Sequence, residues 1–347
     1  MKMQRTTASA VQSLNPLEAA LLFGALLFGV PASALGDDQA TADGFVIDRG
    51  AESAPLSIPR NEVLHYDVRV ETALININAG TVELSSGVEL KRPSLLGNRS
   101  AGGAEVGWVK AHAYGDYSLY VMDATIHTRF QHDAWPRMIH SYRHEGTEKR
   151  RREILTGVKG DAWMASYRSD TKTGAPQGTR IWRPADEFSV PADAVDTLGA
   201  VYLVRHALAR GERNLIFHML DNQRIWNVEA RFGELEVVET GAGRFEARRV
   251  DLITHEVAKE DMGLPPISEA DREAASTDDE ESSGSGKFEG PFGLRGEIVL
   301  WMENRTGIPL VIHGSMPMLL GEIEVDIRLS STEGAPAQFV PLASDED

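Results

Sequence analysis

Hydrophobic and polar residues alternate along most of the chain beyond residue 60. Val63–Glu71 and Ala79–Leu90 show this pattern early, and Leu320–Leu329 shows it again near the end. A period of two residues places one face of a strand against a core and the other face in solvent. Groups of Gly, Asn, Asp and Pro separate these segments, as expected for turns. The pattern therefore predicts a mainly β protein.

The predicted strands contain β-branched or aromatic residues and are bounded by turn residues. They cover residues 63–71, 79–90, 107–114, 125–131, 137–144, 149–155, 162–168, 179–182, 214–220, 223–231, 234–239, 244–257, 296–302, 308–313 and 320–329.

One stretch, from Pro191 to Gly211, has a helical period instead. Asp193 is placed to act as the N-cap, Asp196 follows three residues later, and Gly211 suits the left-handed position that ends a helix. The apolar residues cover more than one narrow stripe, which is typical of a buried helix. They are Val195, Leu198, Val201, Tyr202, Val204 and Leu208.

One buried helix among many alternating segments predicts a single curved antiparallel sheet, or a partly open barrel, closing over a helix at about residues 193–210. The alternative is a β-sandwich in which the helix bridges two sheets. Arg205 lies near the C-terminal end of the helix, where a cation interacts favourably with the helix dipole. We expect its side chain to reach solvent or a surface partner.

The N-terminus has the features of a secretory signal peptide. Lys2 and Arg5 precede an uncharged apolar run, Ala19–Val30, and Ala32-Ser33-Ala34 supplies an A-x-A cleavage site. We predict a cleaved signal at residues 1–34 and a periplasmic or secreted mature protein; the alternative is an uncleaved anchor. The chain has no cysteine, so we do not expect a lipoprotein. No later run is apolar enough to span a membrane.

The rest of the chain consists of segments that differ in amino-acid composition. Residues 35–60 are polar and predict a flexible lead-in. Residues 61–330 predict a single β-rich domain, interrupted by an acidic segment at residues 259–287 that we interpret as a disordered insertion. A linker between two domains is the alternative interpretation. Residues 331–347 predict a disordered acidic tail.

The formal net charge is −17 at neutral pH. Such a charge argues against binding to nucleic acid or to anionic membrane surfaces, and it leaves room for cations or basic partners. We expect a monomer.

Motifs for catalysis are missing from the sequence. It contains no G-x-S-x-G turn, and without cysteine there is no thiol nucleophile. Gly284-Ser285-Gly286-Lys287 lacks the upstream glycine of a phosphate-binding loop and lies in low-complexity sequence. We therefore expect no cofactor.

Histidines cluster in one predicted part of the sheet. His140 and His144 are four residues apart and so share a strand face, while His127 and His132 lie on the preceding segment. Histidine is a common zinc ligand, but nothing in the sequence sets the geometry of a site. These four residues are candidate metal ligands beside the simpler interpretation of ordinary surface and half-buried histidines.

Tryptophans are spread over the predicted strands. Trp108, Trp182, Trp226 and Trp301 are candidates for lining a ligand-binding cavity in a curved sheet. The simpler interpretation is that these rings pack in the core or at its rim.

Three motifs resemble the exported bacterial proteins of the domain-of-unknown-function family 3108. They are D-x-L-x-x-V-Y-x-x-R in the helix, G-x-F-x-A-x-R-V in a later strand, and L-W followed by Pro and Ile. These motifs fall on Asp196, Leu198, Val201, Tyr202, Arg205, Gly243, Phe245, Ala247, Arg249, Val250, Leu300, Trp301, Pro309 and Ile312. The resemblance implies an exported, β-rich, single-helix protein with no established activity, and it supplies no site residues.

The sequence thus favours an exported, non-enzymatic envelope protein that binds an apolar or glycan-like ligand or an envelope partner. Two alternatives remain: a hydrolase with its site in the histidine-rich segment 127–144, and a purely structural envelope component.

Overall fold

A computed structural model describes most of the predicted β-rich domain. The predicted signal peptide at residues 1–34 and the acidic insertion at 259–287 lie outside the described residues. The described residues are 58–71, 76–91, 104–116, 121–131, 138–147, 149–160, 162–170, 182–257, 288, 290, 294–318 and 321–343.

These residues form fourteen strands and one α-helix. In chain order the elements are β1 (Glu62–Glu71), β2 (Asn76–Lys91), β3 (Ala104–Asp116), β4 (Val121–Gln131), β5 (Met138–His144), β6 (Arg150–Lys159), β7 (Ala162–Ser169), β8 (Asp186–Ser189), α1 (Thr197–Ala209), β9 (Asn214–Asp221), β10 (Arg224–Thr240), β11 (Gly243–Glu256), β12 (Arg295–Glu303), β13 (Pro309–Met318) and β14 (Gly321–Glu333).

All fourteen strands belong to one antiparallel sheet. Its order is β8-β7-β6-β5-β4-β3-β2-β1-β14-β13-β12-β11-β10-β9, so every pairing except that of β1 with β14 joins strands that are consecutive in the chain. The pairing of β1 with β14, in which Val68 lies opposite Ile327, joins the two ends of the domain. The prediction of a mainly β protein with one curved antiparallel sheet and one helix is confirmed.

The segment before the helix spans the gap between the two edges of the sheet. The N–H of Val190 donates to the carbonyl of Trp163 on β7, at 3.0 Å. Five residues later, Val195 forms a parallel bridge with Met219 on β9. Side chains also cross the gap, because the amide of Gln223 donates to Asp186 at 2.9 Å. No strand pairing therefore joins the two edges of the sheet among the described residues, and the short segment 190–195, which contains a turn, bridges them.

The helix α1 begins later than the sequence predicts. Its N-cap is Asp196, whose side chain accepts a hydrogen bond from the N–H of Gly199 at 2.9 Å. Asp193 instead accepts hydrogen bonds from His218, and Val195 is extended. The preceding residues therefore cannot be helical, because they pair with β9. At the other end Gly211 has φ +72, as its position after the last turn requires.

The core lies between α1 and the inner face of the sheet, defined as the face toward the helix. Leu198, Val201 and Leu208 on the helix are buried, as predicted. Inward-facing residues of the strands, such as Leu300 and Ile327, belong to the same apolar cluster. Within the described part of the chain, no helix is both long enough and apolar enough to cross a membrane.

The C-terminal segment differs from the acidic tail predicted from residue 331. Strand β14 continues to Glu333 because β1 offers it a pairing partner. Beyond it, the ring of Phe339 stacks on Phe245 with their centroids 4.5 Å apart, and the N–H of Leu342 donates to the carbonyl of Arg244 at 2.7 Å. Residues 334–343 thus cover the β10–β11 hairpin.

Candidate functional site

A groove lies on the outer face of the sheet. This outer groove lies between the end of β10 and the outer face of β1, β12, β13 and β14, and its volume is about 570 Å³. Residues that line it include Val237, Glu239, Trp301, His313, Glu324 and Arg328.

The hairpin of β10 and β11 forms one wall of the outer groove. The ladder between these strands is irregular between Phe232 and Leu235, which is where extra residues bend a strand. The hairpin end is attached to β14, since the N–H of Gly241 donates to the carbonyl of Leu329 at 3.0 Å. A Cβ at Gly241 would lie 2.9 Å from the Cα of Ser330, so a larger residue would push the hairpin away.

A network of charged side chains forms the opposite wall. His313 Nδ1 lies 2.7 Å from Asp326 Oδ1, and His313 Nε2 lies 3.0 Å from a carboxylate oxygen of Glu324. Arg328 donates to the other oxygen of Asp326 at 2.8 Å. Burial raises the pKa of Asp326, but the hydrogen bonds from His313 and Arg328 outweigh it and leave the pKa below its ordinary value. The Asp326 carboxylate is therefore held ionised.

Trp301 joins the two walls of the outer groove. Its indole N–H donates to the carboxylate of Glu236 on β10. Its ring meets the ring of His313 edge-on, with centroids 6.5 Å apart, and the guanidinium of Arg249 lies 5.8 Å from the ring centroid. The half-buried indole thus offers a ligand an apolar surface beside charged groups.

The other predicted tryptophans do not share this groove. Trp108 packs over Gly87, where a Cβ would lie 2.7 Å from the indole, and Trp182 lies against the guanidinium of Arg151 at 4.1 Å. Trp226 is buried edge-on against Phe288, with centroids 5.3 Å apart. The structure therefore places one of the four candidates in a groove and the other three in separate packing environments.

The four candidate histidine ligands are also dispersed. His140 and His144 point to the inner face, as their spacing predicts, and His144 is fully buried. His127 lies on the outer face, edge-on to Trp108 at 6.0 Å, because it is adjacent to the inward-facing Thr128. His132 lies outside the described residues. Among the residues that are described, no three His, Asp or Glu side chains form a metal-binding group.

His140 takes part in a buried cluster that the sequence did not indicate. Its Nδ1 lies 2.7 Å from Oδ2 of Asp196, and the hydroxyl of Thr128 donates to the same oxygen. Burial raises the pKa of Asp196, but these hydrogen bonds and that from Gly199 outweigh it and lower the pKa. The N-cap carboxylate thereby ties the start of the helix to β4 and β5. Since Asp196 lies 56 residues from His140, no local motif could reveal the contact.

A second buried cluster surrounds the end of the helix. Arg205 donates two hydrogen bonds to Glu62, at 2.6 and 2.9 Å, and a third to the carbonyl of Thr306 at 2.9 Å. Burial lowers the pKa of Arg205, but the hydrogen bonds and the charge of Glu62 outweigh it and raise the pKa. The expectation that Arg205 reaches solvent is wrong, because β1 places a carboxylate directly beside it.

Comparison with known proteins identifies a structural neighbour but no sequence relative. No family model matches the chain, and no curated protein matches it. The chain is similar to the crystal structure of a beta-barrel-like protein of the domain of unknown function DUF1849 from Brucella abortus. The two share 11% identity over 80% of this chain and 99% of that chain, with a TM-score of 0.42. The resemblance to family 3108 stays a prediction.

Proposed function

We propose that this protein is exported and acts in the cell envelope as a non-catalytic binding protein, with the outer groove as its binding surface. The observation that carries the proposal is the combination of exposed apolar and charged side chains along one rim. Leu235 and Val237 are 47% and 54% exposed beside the groove. Exposed apolar residues that are rimmed by polar groups mark interaction sites on soluble proteins.

The packing of the interior favours a binding surface on the outer face of the sheet. The helix and the inner faces of the strands form one continuous apolar core. Two pairs of charged and polar groups buried there satisfy each other, namely Arg205 with Glu62 and Asp196 with Thr128. Paired polar groups of this kind stabilise the fold and leave their hydrogen-bonding atoms occupied. An envelope partner that docks on the outer face is therefore favoured over a ligand enclosed in the sheet.

Export is supported by the N-terminal sequence. The basic start, the apolar run Ala19–Val30 and the A-x-A site at residues 32–34 are the three parts of a secretory signal. Fractionation of the producing cell, followed by N-terminal sequencing, tests this part of the proposal. We expect envelope or extracellular material that begins at Leu35, and intact Met1 on cytoplasmic material would contradict it.

Site-specific cross-linking tests the binding surface. A photoreactive amino acid replaces Val237 in the groove or, as a control of similar exposure on β2, Ile77, which is 46% exposed. In living cells we expect one defined adduct from position 237, its loss when Trp301→Ala is added, and no such adduct from position 77. Equal adducts from both positions would contradict the proposal. So would native mass spectrometry that finds a small ligand bound equally by wild type and Trp301→Ala.

A further inference from the structure

One edge of β10 is unpaired along the outer groove. The strand has 17 residues, but β9 pairs with it only from Arg224 to Arg231. From Leu235 to Thr240 it pairs with β11 on its other side. In the part of the chain that the structure describes, no strand pairs with the opposite side of residues 233–240. We call residues 233–240 the free edge.

The free edge has the properties of a template for another strand. In an antiparallel ladder, alternate residues of an edge strand direct their N–H and C=O groups away from their partner. Proteins usually protect such edges with charged side chains, most often lysine, with proline, with a β-bulge or with a covering loop. The free edge contains neither lysine nor proline, and Leu235 and Val237 are exposed on it. A peptide in an extended conformation can therefore supply the missing hydrogen bonds.

The charged groups beside the free edge determine which kind of peptide can bind there. Acidic groups predominate there, and two of the three arginines are already occupied, because Arg249 donates to Asp251 and Arg328 donates to Asp326. The titratable groups are the carboxylates of Glu236, Glu239, Glu324 and Asp326, the guanidinium groups of Arg69, Arg249 and Arg328, and the imidazole of His313. Two copies of this chain joined at their free edges would bring Glu236 and Glu239 of each copy close together, and like charges on paired strands are destabilising.

We propose that the free edge binds an extended, basic segment of a partner protein as an added β-strand. The main chain of the segment bonds to the free edge. Its lysine or arginine side chains lie over Glu239 and Glu324, and its apolar side chains lie against Val237 and Trp301. This inference rests on the proposed function, since it names the chemistry of the partner that occupies the outer groove.

Short synthetic peptides test the main-chain and charge requirements separately. The probe is a fluorescent peptide that alternates lysine and valine, and its binding to the purified protein is measured by fluorescence anisotropy. One comparison peptide replaces lysine by glutamate, and another keeps the sequence but carries N-methyl groups at alternate residues. We expect the lysine peptide to bind, the glutamate peptide to bind at least about tenfold more weakly, and N-methylation to cost roughly tenfold through the loss of two or more hydrogen bonds.

Charge reversal on the protein supplies the matched control. The variant Glu239→Lys/Glu324→Lys is expected to prefer the glutamate peptide. The variant Glu187→Lys/Glu333→Lys makes the same change of net charge at carboxylates that are 45% and 76% exposed elsewhere on the sheet. It is expected to retain the wild-type preference. An equal response of the two variants would show that the lysine peptide responds to net charge alone and would overturn the proposal.

Two further outcomes would also overturn it. If the N-methylated peptide binds as well as its parent, the peptide is not an added strand. If no peptide binds and sedimentation shows a dimer that Val237→Lys dissociates, a second copy occupies the free edge. A defined cross-link from position 237 in cells, together with no peptide binding, would refute the strand-addition inference and leave the proposed function standing.

Discussion

Arg205 on the helix and Glu62 on β1 form a two-bond ion pair inside the sheet, with nitrogen–oxygen distances of 2.6 and 2.9 Å. Glu62 is fully buried and Arg205 is 8% exposed. Removing one member of such a pair leaves the other charge without compensation in the interior. The contact therefore makes the C-terminal half of the helix dependent on the first strand of the domain.

Arg205→Ala is expected to lower the free energy of unfolding by about 3–5 kcal/mol, because it leaves the Glu62 carboxylate unpaired. Chemical denaturation measures the change. The control is Arg210→Ala at the C-cap of the same helix. The Arg210 side chain is 60% exposed, and its loss should cost at most about 1 kcal/mol. Adding Glu62→Leu to Arg205→Ala should restore part of the stability. Equal unfolding free energies for the two single variants would contradict the buried ion pair.

Gly307 tests how closely the β12–β13 turn packs on the helix. It has φ +65, and a Cβ would lie 2.7 Å from Cγ of Arg205. Gly160 has φ +66 with no atom within 4 Å of the same position. Gly160→Ala should therefore show the backbone strain alone, about 1–2 kcal/mol. Gly307→Ala should cost clearly more by thermal or chemical denaturation, and a cost equal to that of Gly160→Ala would mean that the turn can move away.

Thr128→Val tests the cluster at the start of the helix. Valine keeps the shape of threonine but removes the hydroxyl that donates to Asp196. A buried carboxylate that loses a donor should reduce the free energy of unfolding by about 1–3 kcal/mol. Thr81→Val on β2 is the control, because Thr81 is exposed and its change should lie within about 0.5 kcal/mol. Equal effects would show that the hydroxyl does not stabilise Asp196.

Acidification should destabilise the protein through Asp196. Its folded-state pKa is lowered, while an unfolded aspartate has a pKa of about 4. The ionised group therefore stabilises the fold above that pH, and the contribution is lost as the pH falls through the folded pKa. Asp193 and Asp326 act in the same direction. In denaturation series from about pH 5 downward, Asp196→Asn should lose less stability than wild type, whereas the exposed control Glu234→Gln should follow wild type.

Most of the fold prediction rested on the alternation of hydrophobic and polar residues along the chain. A two-residue period is local, so it identifies strands such as Val63–Glu71 and Leu320–Leu329 without reference to their partners. Helix composition is equally local, and Leu198 and Val201 are buried as predicted. The antiparallel sheet with one buried helix therefore followed from the sequence by itself.

Long-range pairing was decided by the tertiary structure. The sequence indicates Asp193 as the N-cap, whereas the bridge from Val195 to Met219 makes Asp196 the N-cap in the structure. The pairing of β1 with β14 likewise brings Glu62 to Arg205, 143 residues away. Local patterns do not specify which charged residues will form a pair across such a distance, because strand register and sheet order determine the contact.

In the candidate site, too, some features are predictable from the sequence and others depend on the tertiary structure. The sequence presents Trp301 as one tryptophan among several, and it identifies strand composition in residues 234–239. It cannot show that β9 begins only at Asn214, opposite Arg231, or that the hairpin bends over β12–β14 to form the outer groove. Strand propensity is a property of neighbouring residues, whereas an unpaired edge depends on where distant strands stop. The sequence by itself therefore determined most of the strands and the buried helix, but not β8 or the continuity of β10. The tertiary structure alone decided which edge of which strand faces a groove.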